Sequence, residues 1–132
     1  MELSTAQKLQ IYIKAELGDA QLYRQLADMA PNDHFRQLLL EFAQDEQAHA
    51  TEFQRIYRII TGSAFTPEVP PTMLQGSFFD ILRERVLDES GDFRKYGEQF
   101  ILCDSHTLLR RAYYRARTDE NVHALRLLYM LS

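Results

Sequence analysis

Two different patterns recur in this 132-residue chain at almost one offset, and they restrict the fold more than any other feature. Glu16-Leu-Gly-Asp-Ala-Gln-Leu-Tyr23 returns as Glu89-Ser-Gly-Asp-Phe-Arg-Lys-Tyr96, and Asp45-Glu46-Gln-Ala-His49-Ala50 returns as Asp119-Glu120-Asn-Val-His123-Ala124. Independent recurrence at offsets of 73 and 74 marks a duplicated unit. The unit is too long for a solenoid repeat and occurs only twice. Two copies of a helical hairpin closing on each other give one all-α four-helix bundle with pseudo-twofold symmetry.

Helical periodicity runs over roughly 5–30, 33–60, 77–103 and 106–131. No stretch shows the alternation of a strand. Pro31, with Asn32 and Asp33 as capping residues, divides the first hairpin, and TGSAFTPEVPPTMLQGS separates the hairpins with three of the four prolines. Each helix has an apolar stripe stepping by three and four, which is one face. Helix 1 shows Leu9, Tyr12, Ile13, Ala20 and Tyr23. Helix 2 shows Phe42, Ala50, Phe53, Ile56 and Ile60. Helix 3 shows Phe78, Leu82, Tyr96, Phe100 and Cys103. Helix 4 shows Leu109, Tyr113, Ala116 and Leu127. Carboxylates interrupt every stripe near its middle.

Glu16 and Glu46 stand at similar distances from the first turn, and Glu89 and Glu120 from the last. At ~1.5 Å per residue, each pair sits level, ~20 Å from its turn. The proline-rich link reaches ~50 Å if extended, enough to cross the bundle lengthwise. A long crossover is therefore expected, although spacing alone leaves a compact up-and-down link open.

A glutamate three residues before a histidine shares its helical face, so both can grip one ion cluster. Two such pairs with one glutamate from each remaining helix make four carboxylates and two imidazoles. This is the recognised ligand set of di-iron and di-manganese bundles. Four glutamates balance two divalent cations, whereas ionised carboxylates in a dry core without metal cost several kcal/mol each. Mixed carboxylate and imidazole donors suit iron or manganese, with zinc also compatible. Asp45 and Asp119 each precede a histidine by four residues. They are candidates to hold the imidazole of the opposite hairpin, Asp45 that of His123 and Asp119 that of His49, with a solvated or capping role as the rival. Tyr23 and Tyr96 lie seven residues after their glutamates, as core aromatics or as donors to a carboxylate. For Asp19 and Asp92, solvent or interhelical hydrogen bonds are favoured over ligation. Arg85 is read as snorkelling or pairing with a carboxylate. His34 and His106 are read as exposed, and Cys103 as an inert buried thiol. Gly18 and Gly91, mid-helix and away from the metal face, suggest a close helix contact across a homodimer interface.

On these residues the chain resembles the rubrerythrin and bacterioferritin branch of the ferritin-like di-iron superfamily, over nearly its whole length. The resemblance implies that Glu16 and His49 hold one metal, Glu89 and His123 the other, and that Glu46 and Glu120 bridge them. It implies an oxidoreductase that reacts with peroxide or dioxygen or oxidises iron(II), with Glu46, Glu120, Tyr23 and Tyr96 as the catalytic candidates. A non-catalytic iron-storage module and a di-iron hydroxylase are the alternatives. Asp92 falls where rubrerythrins carry an additional glutamate. Bacterioferritin's haem methionine is replaced by Gln47, so no haem is expected. The lone Cys103 leaves no rubredoxin-type iron, so a peroxidase cycle needs an external electron donor.

The formal charge of −4, without a block of like charges, gives no reason to expect nucleic acid or an anionic membrane as partner. No apolar run spans a bilayer, and Met1-Glu2-Leu3-Ser4 lacks the start of a signal peptide, which points to the cytoplasm.

Overall fold

The start of each helix is fixed by a side chain that satisfies its free amides. In the computed structural model, which describes residues 2–103 and 105–132, these caps open four helices: α1 (Thr5–Ala27), α2 (Asp33–Thr61), α3 (Phe78–Leu102) and α4 (Thr107–Leu131). Ser4 and Ser77 form capping boxes with Gln7 and Asp80. Asn32 accepts from the Phe35 amide. His106, expected to be a plain exposed residue, caps α4 by accepting from the Leu109 amide at Nδ1, 3.2 Å away. Met1, part of the N-terminal reading, lies outside the described residues.

α1 stops at Ala27, three residues earlier than its periodicity suggests. Met29 and Ala30 turn back onto Leu26 and Ala27 through tighter three-residue hydrogen bonds. Ala30 precedes Pro31, which disfavours the helical conformation there. α2 ends on Gly62, whose φ of 77° closes the helix in the left-handed region.

Cross-helix contacts fix every direction. Gln10 meets Tyr57, and Glu16 meets His49, so α1 and α2 are antiparallel. Phe100 meets Tyr114 and Glu89 meets His123, so α3 and α4 are antiparallel. Lys8 reaches Gln99 and Tyr23 reaches Arg85, which makes α1 antiparallel to α3. Consequently α2 and α3 run the same way, and the link between them must traverse the bundle. It follows α1: the Phe65 ring lies beneath Lys14, Val69 faces Gly18, and the Thr72 carbonyl accepts from Gln25. The long crossover is the observed one.

Gly18 therefore faces this chain's own crossover. A Cβ there would sit 3.7 Å from Val69, in ordinary contact. Around Gly91 a Cβ would meet nothing within 4 Å. Gly91→Ala is expected to stabilise the protein by about 1 kcal/mol through helix propensity alone, read as a higher denaturation midpoint.

The carboxylate layer divides the core. On one side Leu9, Tyr12, Ile13, Phe53, Ile56, Tyr96 and Tyr113 cluster; on the other are Tyr23, Leu26, Leu39, Phe42, Leu82 and Leu127. Ile60, expected on the inner stripe, is exposed because it lies at the end of α2 beyond the packed layer. Cys103 is half-buried rather than enclosed, because α3 has ended one residue before it. No helix among the described residues is long and apolar enough to cross a membrane.

Candidate metal centre

Antiparallel pairing of the duplicated hairpins brings Glu16, Glu46, Glu89 and Glu120 to one level, each from a different helix and each 0% exposed. His49 and His123 enter the same layer from α2 and α4, at 4% and 0% exposure. The Nδ1 atom of His49 lies 3.0 Å from Glu16 and 3.4 Å from Glu46. That of His123 lies 3.5 Å from Glu46, 3.5 Å from Glu89 and 3.4 Å from Glu120.

These atoms sort into two overlapping groups. Glu16, Glu46, His49 and Glu120 present ligand atoms within 4.8 Å of one another, and so do Glu46, Glu89, Glu120 and His123. Glu46 and Glu120 belong to both. Both oxygens of Glu46, both of Glu120, one each of Glu16 and Glu89, and Nδ1 of His123 are buried with no hydrogen-bond partner. Orphaned acceptors at this density are unfavourable unless a cation fills the space between them. The residues fit a pair of divalent ions, whose charge the four carboxylates cancel.

Electrostatics tell the same story. Burial, then the charge of Glu16, pushes the Glu46 carboxyl up to about 8. Burial, followed by Glu16, Glu46 and Glu89, raises Glu120 well above the carboxylate range. Burial works to lower both histidines, but the hydrogen bonds at Nε2 and the carboxylate charges facing Nδ1 override it. Asp119, Glu16 and Glu46 hold His49 up at about 12, and Asp45 and Glu89 hold His123 up at about 9. Without metal the layer compensates its charge with protons. Metal must displace them, so binding is coupled to proton release.

The far ring nitrogens are held across hairpins. Nε2 of His49 is 2.6 Å from Asp119, and Nε2 of His123 is 2.8 Å from Asp45. With a proton on each Nε2, both Nδ1 lone pairs point at the carboxylate layer, which sets the tautomer a ligand needs. The Phe42 ring lies 4.3 Å from the His123 ring, centroid to centroid, and packs it in place.

The two tyrosines differ. The Tyr23 hydroxyl donates to Glu89 and accepts from Arg85 Nε at 3.2 Å. Tyr96 is equally buried, yet its hydroxyl has no partner. Arg85 explains the difference. It is 7% exposed, not snorkelling, and its Nη2 lies 3.3 Å from Asp19 and 3.6 Å from Glu89. The repeat offset of 73 places Tyr12 where Arg85 would recur, and Tyr12 packs edge-on against Tyr96. One arginine thus makes the two halves of the layer inequivalent. Lys95, which sequence reasoning passed over, pairs with Asp92 at 3.1 Å and lies over the Tyr96 ring.

Between α2 and α4 a groove of about 980 Å³ opens onto His49 and Asp119, with Arg55, Arg110, Arg111 and Arg115 along it.

Comparison with known proteins agrees with this geometry. Residues 8–69 match the Rubrerythrin family. An uncharacterized protein of Bacillus subtilis, YhjR, is 32% identical over 127 residues, which cover 93% of this chain and 83% of the relative. Among solved structures, a hypothetical protein from Pyrococcus furiosus superposes with a TM-score of 0.82 over 98% of this chain and 89% of its own; at 18% identity it speaks for the fold. With its four-helix bundle, its duplicated Glu and Glu-x-x-His pattern and this match, the chain belongs to the rubrerythrin family of ferritin-like proteins.

Proposed function

We propose that the chain is a non-haem di-iron oxidoreductase of rubrerythrin type, which reduces peroxide or oxidises iron(II) with dioxygen or peroxide. The observation that carries this reading is the pair of buried four-residue groups sharing Glu46 and Glu120. In this reading Glu16 and His49 would hold one iron and Glu89 and His123 the other, with Glu46 and Glu120 available to both. A pair of iron(II) ions supplies, when bound, the two electrons that cleave an O–O bond.

The chain's own residues orient the ligands and hold protons in place. Asp119 and Asp45 orient His49 and His123 through Nε2. Tyr23 donates a hydrogen bond to Glu89, and Arg85 fixes both. Tyr96, buried with an unpartnered hydroxyl, offers the layer a hydrogen-bond donor whose proton burial and the nearby carboxylate charges hold in place. The apolar clusters above and below keep bulk water out. Reduction of one hydrogen peroxide to two waters consumes two electrons and two protons, and an external donor restores the electrons.

The test is consumption of hydrogen peroxide by iron-loaded protein with a reductant, and oxidation of added iron(II). Turnover that falls to background in a folded Glu46→Ala variant is expected. Loaded protein that turns over neither substrate would leave iron storage as the better account.

A further inference from the structure

We propose that the outer face of α3 joins two copies of this chain, packed antiparallel about a twofold axis midway between positions 94 and 98. The proposal does not depend on the metal centre, because Glu89 lies on the opposite side of the helix. Leu87, Gly91, Arg94, Glu98 and Ile101 follow one another by steps of four and three, so they line one side of α3 over ~21 Å. All five are exposed, whereas Leu82, Glu89 and Tyr96 carry the core-facing side. Leu87 and Ile101 are 74% and 73% exposed, and Leu102 beside Ile101 is 69% exposed.

Single apolar residues on a surface are ordinary. What sets this stripe apart is that it complements its own reverse. With two stripes antiparallel about that axis, Arg94 of each copy lies level with Glu98 of the partner subunit. Ile101 of each copy lies level with Gly91 of the partner subunit, and Leu87 comes beside the partner's Leu102.

Charge supports this register. The lysine and arginine ion pairs on α3 join Asp80 to Arg83, Arg85 to Asp19, Asp88 and Glu89, and Lys95 to Asp92; Arg94 and Glu98 take part in none of them. Within one helix an arginine four residues before a glutamate is the weaker order of pairing. The twofold arrangement gives each of these charges an opposite one across the interface. A parallel pair would instead set Arg94 against Arg94 and Glu98 against Glu98, so charge selects the antiparallel arrangement.

Shape supports it as well. A Cβ at Gly91 would meet nothing within 4 Å, so the backbone there is bare and can receive an isoleucine side chain. Gly91 lies in a groove of about 790 Å³ with Phe93, Phe100 and Arg117 along it. One methyl at Gly91 narrows this seat without closing it. Because the face is paired with itself, the contact closes as a dimer and does not propagate.

The test is sedimentation velocity of the full chain over a concentration series. The wild type is expected to reach twice the chain's 15.5 kDa. Arg94→Glu and Glu98→Arg each set like charges opposite one another and are expected to raise the dissociation constant by about tenfold or more. Both positions are exposed, so circular dichroism and the melting profile of the monomer stay as in the wild type. Mixed in equal amounts, the two variants recover the dimer, since each supplies the charge the other lacks. The double variant carrying both swaps dimerises by itself. Ile101→Asp weakens the dimer and is not restored by either charge variant. A wild type that stays monomeric, or a dimer indifferent to all three single changes, would overturn the interface. Single charge variants that weaken the dimer but do not recover it when mixed would overturn the pairing of Arg94 with Glu98.

Discussion

Replacing Arg85 by alanine is expected to cost the metal-free protein about 3–5 kcal/mol, because it strips the partner from a buried charge cluster. Arg85 lies against Asp19, Asp88, Glu89 and the Tyr23 hydroxyl, with 7% of its surface exposed. Burial opposes the ionised form of Glu89, yet His123, Arg85 and Tyr23 together hold its carboxyl below the ordinary value. Without Arg85 that charge loses one of its three supports. Arg85→Lys recovers only part of the loss, since an ammonium cannot reproduce the guanidinium fork that touches several groups at once. In metal-loaded protein the penalty shrinks, because a cation beside Glu89 supplies the missing charge. Urea denaturation of both variants, with and without metal, measures this. A change below about 1 kcal/mol in the metal-free protein would place Arg85 among ordinary surface pairs.

The second large effect has the opposite sign. Glu46→Gln with Glu120→Gln is expected to stabilise metal-free protein near pH 8 and to abolish its response to metal. Glu46 is raised from 4.5 to about 8 in the fold, so its stabilising contribution is complete below the ordinary value and is lost as pH rises towards 8. Glu120 is raised as well and acts in the same direction. The metal-free wild type should therefore weaken between about pH 4.5 and 8. Glutamine keeps the volume and removes the charge, so the variant's profile is flatter over that window. Thermal melts at pH 5 and pH 8, with and without iron(II), read the outcome. A variant that is no more stable than wild type at pH 8, or that still responds to two equivalents of metal, would contradict the assignment of the shared glutamates.

Much of this arrangement is legible in the sequence because duplication and helical rise are simple constraints. Equal distances from the turns put Glu16 beside Glu46 and Glu89 beside Glu120. The four-residue step from Asp45 to His49, repeated at Asp119 and His123, leads to cross-hairpin pairing, and the hydrogen bonds observed are of that kind. What periodicity misses is what symmetry breaking decides. Arg85 and Tyr12 occupy equivalent places, and nothing in spacing tells that one is a buried ion and the other an aromatic. The role of Gly18 depends on the crossover's path along α1, a tertiary fact set by Val69 and Thr72. The early end of α1 is local chemistry: the turn before Pro31 outweighs apolar residues that would continue the stripe.

The central claim is a buried centre for two metal ions, and the most direct measurement is an anaerobic titration of chelator-stripped protein with iron(II), with heat and proton release recorded. Saturation near two equivalents is expected, with protons released as the carboxyls and imidazoles exchange them for metal. The melting temperature should rise with it, since a ligand at about 100 times its dissociation constant stabilises the fold by about 2.7 kcal/mol per site. No saturable uptake, and a melting temperature indifferent to iron, would show that the carboxylate layer serves the bundle without metal.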